Sequence, residues 1–154
     1  MISEGTNVKV VDNSGALEGR CIRVIRPRSG EGRRIGREGD VIVLTVTKTA
    51  TVGTIKKGDV VKGLIVRAVK VSRGVSSIKK EEEKVVTGKK SGIGGVRVRY
   101  EENSVILVKM GQTGAGEVMK NKSEVAPIAT RAKGPISGVI RMSKNNSKVI
   151  AIVD

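Results

Sequence analysis

Residues Thr54–Lys70 read TIKKGDVVKGLIVRAVK, and the rest of the chain is read outward from them. A basic turn, Lys56-Lys57-Gly58-Asp59, feeds a nearly continuous apolar run from Val60 to Val69. The run is too short and too rich in β-branched residues for a helix. It predicts a strand buried on most of both faces, as in a small closed barrel. Lys62 sits near its start and Arg67 interrupts it. A core strand flanked by fixed positive charge is suited to gripping a phosphate backbone.

Upstream, Asp40 to Lys48 predicts a strand with Ile42, Leu44 and Val46 on one face. Residues 20–26 (RCIRVIR) fit helix and strand equally by spacing. Their β-branched content and the following Pro27 favour a strand. Residues 6–11 alternate, with Val8 and Val10 on one face and Asn7 and Lys9 on the other. Asp12-Asn13-Ser14-Gly15 reads as a turn. Pro27 to Gly39 is a loop rich in Arg and Gly.

Downstream, residues 71–95 are dominated by Ser, Gly, Lys and Glu. The KKEEEK run at Lys79–Lys84 is expected to be solvated surface on an insertion. Val96, Val98 and Tyr100 then alternate with Arg97 and Arg99, predicting a strand paired as a hairpin with Ser104–Met110. Residues 111–126 form a second insertion. Ile136, Val139 and Ile140 predict a short helix starting at Pro135, and Lys148 to Val153 is a last apolar segment. The fold class expected is all-β: one domain over 1–154, a small barrel with long loop insertions and one short helical element.

Lys and Arg number 30 against 15 acidic residues, a net charge of +15. That excess implies a polyanionic partner, nucleic acid or an anionic membrane surface. There is no His, Trp or Phe, and Tyr100 is the one aromatic residue. The usual general base and metal ligand is therefore absent. The single cysteine, Cys21, excludes an intramolecular disulfide and reads as a small buried side chain. No apolar run reaches the roughly 18 residues of a membrane span. The opening MISEGTNVKV carries neither a secretory signal nor an Arg-rich presequence.

Gly111-Gln112-Thr113-Gly114-Ala115-Gly116 has the glycine spacing of a phosphate-binding loop. Glu117 and Val118 stand where Lys and Ser or Thr are required, so a plain Gly-rich loop is expected. Asp12, Asp40 and Asp59 each sit at a presumed strand end, where Asp makes local turn bonds. They offer no spacing for a two-metal nuclease centre. No catalytic residue, metal, cofactor or small-molecule substrate is expected.

The basic residues cluster. Seven fall between Arg20 and Arg37, and seven more between Lys120 and Lys148 against Glu124 alone. Single-strand readers stack bases on aromatic rings, and this chain has one ring, Tyr100. The expected ligand is folded, largely duplex nucleic acid, gripped by its backbone. A free barrel-type RNA-binding module, a chaperone or regulator, shares this charge argument and is the alternative to a structural role.

Several segments together carry a resemblance. They are Met1-Ile2, Val11-Asp12-Asn13-Ser14-Gly15-Ala16, Cys21-Ile22-Arg23-Val24, Gly39-Asp40-Val41-Ile42, Lys56-Lys57-Gly58-Asp59-Val60 and Ile65-Val66-Arg67. The series continues with Arg99-Tyr100-Glu101-Glu102-Asn103, Pro127-Ile128-Ala129-Thr130-Arg131, Gly134-Pro135 and Lys148-Val149-Ile150. In this order they resemble the universal large-ribosomal-subunit protein number fourteen in its bacterial and mitochondrial form. Three features depart from the family pattern: the long stretch 67–93, Gly94-Gly95 in place of an Asp-Gly turn, and the long segment between Asn103 and Pro127.

The resemblance implies a closed five-stranded barrel with small carboxy-terminal helical elements. It implies a structural constituent of the large subunit, bound to large-subunit rRNA on the intersubunit face. Asn13, Ser14, Lys56 and Lys57 are the turn residues expected to touch rRNA. Arg23, Arg33, Arg34, Arg67, Arg97 and Arg99 are the basic positions expected to join them. Thr130, Arg131 and Lys148 align with the family's protein-contact positions. The implied partners are large-subunit protein nineteen, small-subunit rRNA through a bridge, and a ribosomal silencing factor. The insertions favour a mitochondrial ribosome over a bacterial or plastid one.

Overall fold

The computed structural model describes residues 1–25, 35–51, 53–69, 99–110, 125–138, 140 and 147–153. Among them the strands are β1 (Asn7–Val10), β2 (Ala16–Ile25), β3 (Val41–Thr49), β4 (Val60–Arg67), β5 (Ser104–Met110) and β6 (Val125–Pro127). One helical turn, α1 (Ser147–Ile150), follows. Strands β1 to β5 pair antiparallel in chain order, and a parallel pairing of β1 with β5 closes them into a five-stranded mixed barrel. Strand β6 adds to the far edge of β5.

The closing seam is short. Lys9 pairs with Ser104 and Val10 with Val105, and beyond that the two strands part. Residues 125–133 fill the gap. Ile128 N–H donates to the Leu107 carbonyl at 3.0 Å on the β5 side. Asn13 N–H donates to Arg131 O at 3.1 Å, and Lys133 N–H to Val11 O at 2.8 Å, on the β1 side. A late segment of the chain thus completes a ladder that two early and middle strands leave open.

The interior is aliphatic. Val8, Val10, Cys21, Ile42, Leu44, Val46, Ile65, Val105 and Leu107 fill it. Leu44 reaches across the middle because both neighbouring strands place a glycine beside it. A Cβ on Gly19 of β2 would stand 2.5 Å from Leu44 Cδ1, and one on Gly63 of β4 would stand 2.9 Å from Cδ2. Cys21 is buried here, as expected, and burial pushes its thiol pKa up, with the charge of Glu4 adding to the shift.

A second cluster lies on the outer face of β4 and β5. Leu64, Val66, Ile106 and Val108 are covered by Val125, Ala132, Ile140 and Val149 from the carboxy-terminal region. Gly63 to Arg67 are all buried, which explains the unbroken apolar reading of this stretch. Ile65 faces the barrel interior while Leu64 and Val66 face the second cluster.

The ambiguous spacing of RCIRVIR has a structural cause. The β2–β3 register slips between Cys21 and Arg23, a β-bulge. A bulge inserts one extra residue on one strand. Cys21 and Val24 therefore both face the interior, while Ile22 and Arg23 between them are exposed. The helix-like spacing of Cys21 and Val24 is the signature of that extra residue.

Three expectations need correction. The helix expected from Pro135 starts later, with helical backbone at Gly138 and Ile140. Residues 135–137 instead bond to the end of β4: Arg67 Nη1 donates to Pro135 O at 3.3 Å, and Ser137 N–H donates to Val66 O at 3.1 Å. Arg99 and Tyr100 are outside any strand, and the rest of the strand expected at 96–100 lies outside the described residues. Val125 and Ala126, assigned to an insertion, open β6. The Gly111–Gly116 loop and the acidic run at 79–84 also lie outside the described residues.

Candidate nucleic-acid interface

The Asp12–Gly15 turn links β1 to β2 at one end of the barrel. Asp12 accepts from Ser14 N–H at 3.0 Å and from the Ser14 hydroxyl. Its other carboxylate oxygen accepts from Leu107 N–H at 2.7 Å, satisfying a β5 donor where the seam has parted. Asp40 and Asp59 likewise accept from Arg37 N–H and Lys56 N–H, both at a strand entry. Each of the three carboxylates accepts from a backbone donor two or three residues away, as their positions predict, and Asp12 alone adds the distant one on β5.

Asn13 reaches across the seam. Its Oδ1 accepts from the backbone N–H groups of Thr130 and Arg131, both at 3.1 Å. Its Nδ2 donates to Thr130 Oγ1 at 2.9 Å. The residues expected to touch rRNA and those expected to meet a protein partner are thus one assembly. The turn holds the backbone of Thr130 and Arg131 in place.

The β3–β4 connection rests on the same turn. Ala50 N–H donates to Gly15 O at 2.8 Å, and Thr54 Oγ1 to Ser14 O at 3.4 Å. Beyond it, Lys56 to Asp59 form a tight turn closed by Asp59 N–H on Lys56 O at 3.2 Å. Gly58, with φ at +94°, supplies the left-handed conformation at its third position. Lys56 and Lys57 are exposed at its tip. The β5 end carries exposed Lys109, and the 130–133 segment carries exposed Arg131 and Lys133. One end of the barrel therefore presents Lys56, Lys57, Lys109, Arg131 and Lys133. The carboxylates beside them, Asp12 and Asp59, accept from backbone N–H groups.

Lys148, exposed on α1, lies near the same segment. Ala132 N–H donates to Ile152 O at 2.8 Å, and Ala132 pairs with Val153 in a parallel bridge. This bridge ties the segment that carries Thr130 and Arg131 to the residues that follow Lys148 in the chain.

The other expected rRNA residues are scattered. Arg23 is exposed on the outer face of β2, and Arg99 is exposed at the opposite barrel end from Lys56. Arg33, Arg34 and Arg97 lie outside the described residues. Ser14 is buried and its hydroxyl is given to Asp12.

Arg67, expected among the rRNA contacts, is only 8% exposed. Its Nη2 pairs with Glu102 Oε1 at 3.2 Å and its Nη1 holds Pro135 O. Glu102 also meets Lys9 Nζ and the Ser104 hydroxyl. Those contacts, the Lys9 hydrogen bond foremost, hold its carboxyl below the usual carboxylate range despite partial burial. Lys9, in return, is held above its ordinary value by Glu102. Beside this group the Ser137 hydroxyl donates to Glu38 Oε2. Burial pushes the Tyr100 hydroxyl pKa up, and the charge of Glu38 adds to it. This end of the barrel is a buried polar clasp between β4, the approach to β5 and the carboxy-terminal segment.

Sequence reasoning missed Lys109, Lys133 and Glu102. Lys109 continues the inward phase of Val105 and Leu107, and only its place at the barrel mouth exposes it. Among the described residues no three His, Cys, Asp or Glu side chains gather as metal ligands.

A small β-barrel with a cationic end is the class defined so far. The model of the family described as Ribosomal protein L14p/L23e matches residues 1–92, more than half of the 154-residue chain. The chain belongs to that family and is a protein of the large ribosomal subunit. The family consists of structural ribosomal proteins and is not a family of enzymes.

Proposed function

We propose that this protein binds large-subunit rRNA through the cationic barrel end and is a structural, non-catalytic component of the intersubunit face. One observation carries the reading. The Asn13 amide and the Gly15 and Ser14 carbonyls fasten two separate basic segments, 50–58 and 130–133, to one turn. Lys56, Lys57, Arg131 and Lys133 are thereby pre-positioned, so little ordering entropy opposes the docking of a phosphate backbone.

Asn13 and Ser14 act in this interface as its scaffold. Arg33, Arg34, Arg97 and Arg99 extend contact to further rRNA, and Arg67 serves the clasp. The edge formed by Thr130, Arg131 and Lys148 is the proposed contact for protein nineteen, a bridge to small-subunit rRNA, or a silencing factor. The whole of 1–154 acts as one domain, in a mitochondrial ribosome by the reading of its insertions.

The test is a salt series of rRNA-fragment binding with Lys56→Ala/Lys57→Ala. Each lost phosphate contact lowers the slope of log K against log salt by about 0.7–0.9. The double variant is expected to lose roughly 1.5 from that slope. An unchanged slope would remove the Lys56-Lys57 turn from the interface.

A further inference from the structure

We propose that the outer face of β2, β3 and the first residues of β4 docks an extended acidic segment of a neighbouring polypeptide, one carrying aliphatic side chains among its carboxylates. This rests on the ribosomal reading above.

Among the described residues, six large hydrophobics are exposed, and three of them, Leu17, Ile22 and Val60, lie on this one face. Val60 is 65% exposed and Ile22 46%. The register orders the face in transverse rows. Arg20 pairs with Thr45 and Thr45 with Val60; in the next row Arg23 pairs with Val43 and Val43 with Lys62. The bulge between Cys21 and Arg23 turns Arg23 outward beside Ile22, where strict alternation would place the two on opposite faces. Each row therefore carries both an aliphatic side chain and a cation, adjacent to each other in the second row.

The acids at the border are engaged or peripheral. Glu18 is paired with Lys48 at 3.0 Å, and Asp59 accepts from Lys56 N–H. Glu4 stands at the β1 edge, in the turn bonded to Cys21 O through Gly5 N–H. The centre of the face is thus cationic as well as apolar.

The complementary partner carries carboxylates and aliphatic groups together. Rows about 7 Å apart match the spacing of same-side residues along an extended chain. A phosphate backbone would meet the cations and leave Ile22 and Val60 without apolar contact, and no aromatic ring is present for a base to stack on. Arg amid aliphatic side chains is also the composition of protein–protein interface cores. The adjoining outer face, over Leu64 and Ile106, already shows the same sheet covered by aliphatic residues of this chain's own carboxy-terminal region.

The test uses the full chain in assembled particles. Val60, and separately Ile22, is replaced by the photo-cross-linker p-benzoylphenylalanine. Large subunits are isolated on a gradient, irradiated, digested and sequenced by mass spectrometry. The expected result is an adduct on a carboxylate-rich segment of a different polypeptide. Adding Arg23→Glu with Lys62→Glu is expected to lower the adduct yield roughly tenfold, with co-sedimentation retained. An adduct on rRNA, on this chain, or on a segment without acidic residues overturns the proposal, as does no adduct from either position. A yield unmoved by the charge reversal overturns it too. Absence of every variant, and of the parent chain, from the large-subunit fractions would overturn the ribosomal reading, and this surface with it.

Discussion

Replacing Asn13 with Ala removes three side-chain hydrogen bonds at once: two accepted from Thr130 and Arg131 N–H, and one donated to Thr130 Oγ1. A net intramolecular hydrogen bond contributes about 0.5–1.5 kcal/mol. These three are solvent-exposed, so the freed N–H groups find water and the lower half of that range applies. The expected loss is about 1.5–3 kcal/mol. The backbone bonds from Asn13 N–H to Arg131 O and from Lys133 N–H to Val11 O remain, so the seam should loosen locally before the barrel opens. Urea unfolding with a common slope gives the first number. Amide hydrogen exchange gives the second: Thr130 and Arg131 should lose protection in Asn13→Ala while Leu44 and Ile106 keep theirs. Asn13→Asp preserves the acceptor and forfeits only the donation, so its loss should be smaller. An Asn13→Ala midpoint equal to the parent, with Thr130 and Arg131 amides still protected, would refute the latch.

Gly19→Ala should destabilise by about 1–3 kcal/mol, because its Cβ would meet Leu44 Cδ1 in a packed interior; shortening the neighbour in Gly19→Ala/Leu44→Val should recover part of the loss in the same urea titration. Glu102 is depressed in the folded state below its ordinary 4.5, so its contribution is fully present above that value and disappears as pH falls through the lower folded pKa. Glu102→Gln should therefore lower stability at neutral pH and flatten the acid limb of the stability–pH curve; an unchanged acid limb would remove Glu102 from the clasp. The Cys21 thiol, buried and raised in pKa, should react with a thiol reagent only at the rate of barrel opening, and fast labelling of the folded chain would contradict its placement.

The barrel was legible because each strand obeys a short-range rule. Alternation named Val8 and Val10, and Ile42, Leu44 and Val46, as interior, and all are buried. The double-faced burial of Leu64 to Val66 was legible as an unbroken apolar run. Contacts between distant positions were not. Asn13 and Thr130 are separated by 117 positions, and nothing in either residue announces the other. Arg67 could be read only as a cation, since what removes it from the surface is Glu102, 35 residues later, and the Pro135 carbonyl, 68 residues later. Lys133 and Lys109 gain their place from the seam and the barrel mouth, features of closure rather than of any local pattern.

The seam also fixes an order of events in synthesis. Strands β1 to β4 can pair as a meander as soon as they are made, because each neighbour is next in the chain. The gap between β1 and β5 stays open until residues 125–133 arrive. At roughly 5–20 residues per second, the distance from Arg67 to Lys133 is several seconds of translation. Through that interval the nascent barrel has an unpaired edge on β1 and an exposed apolar flank on β4. The chain is most prone to wrong pairing in that window, and a ribosome pausing between these two points would lengthen it.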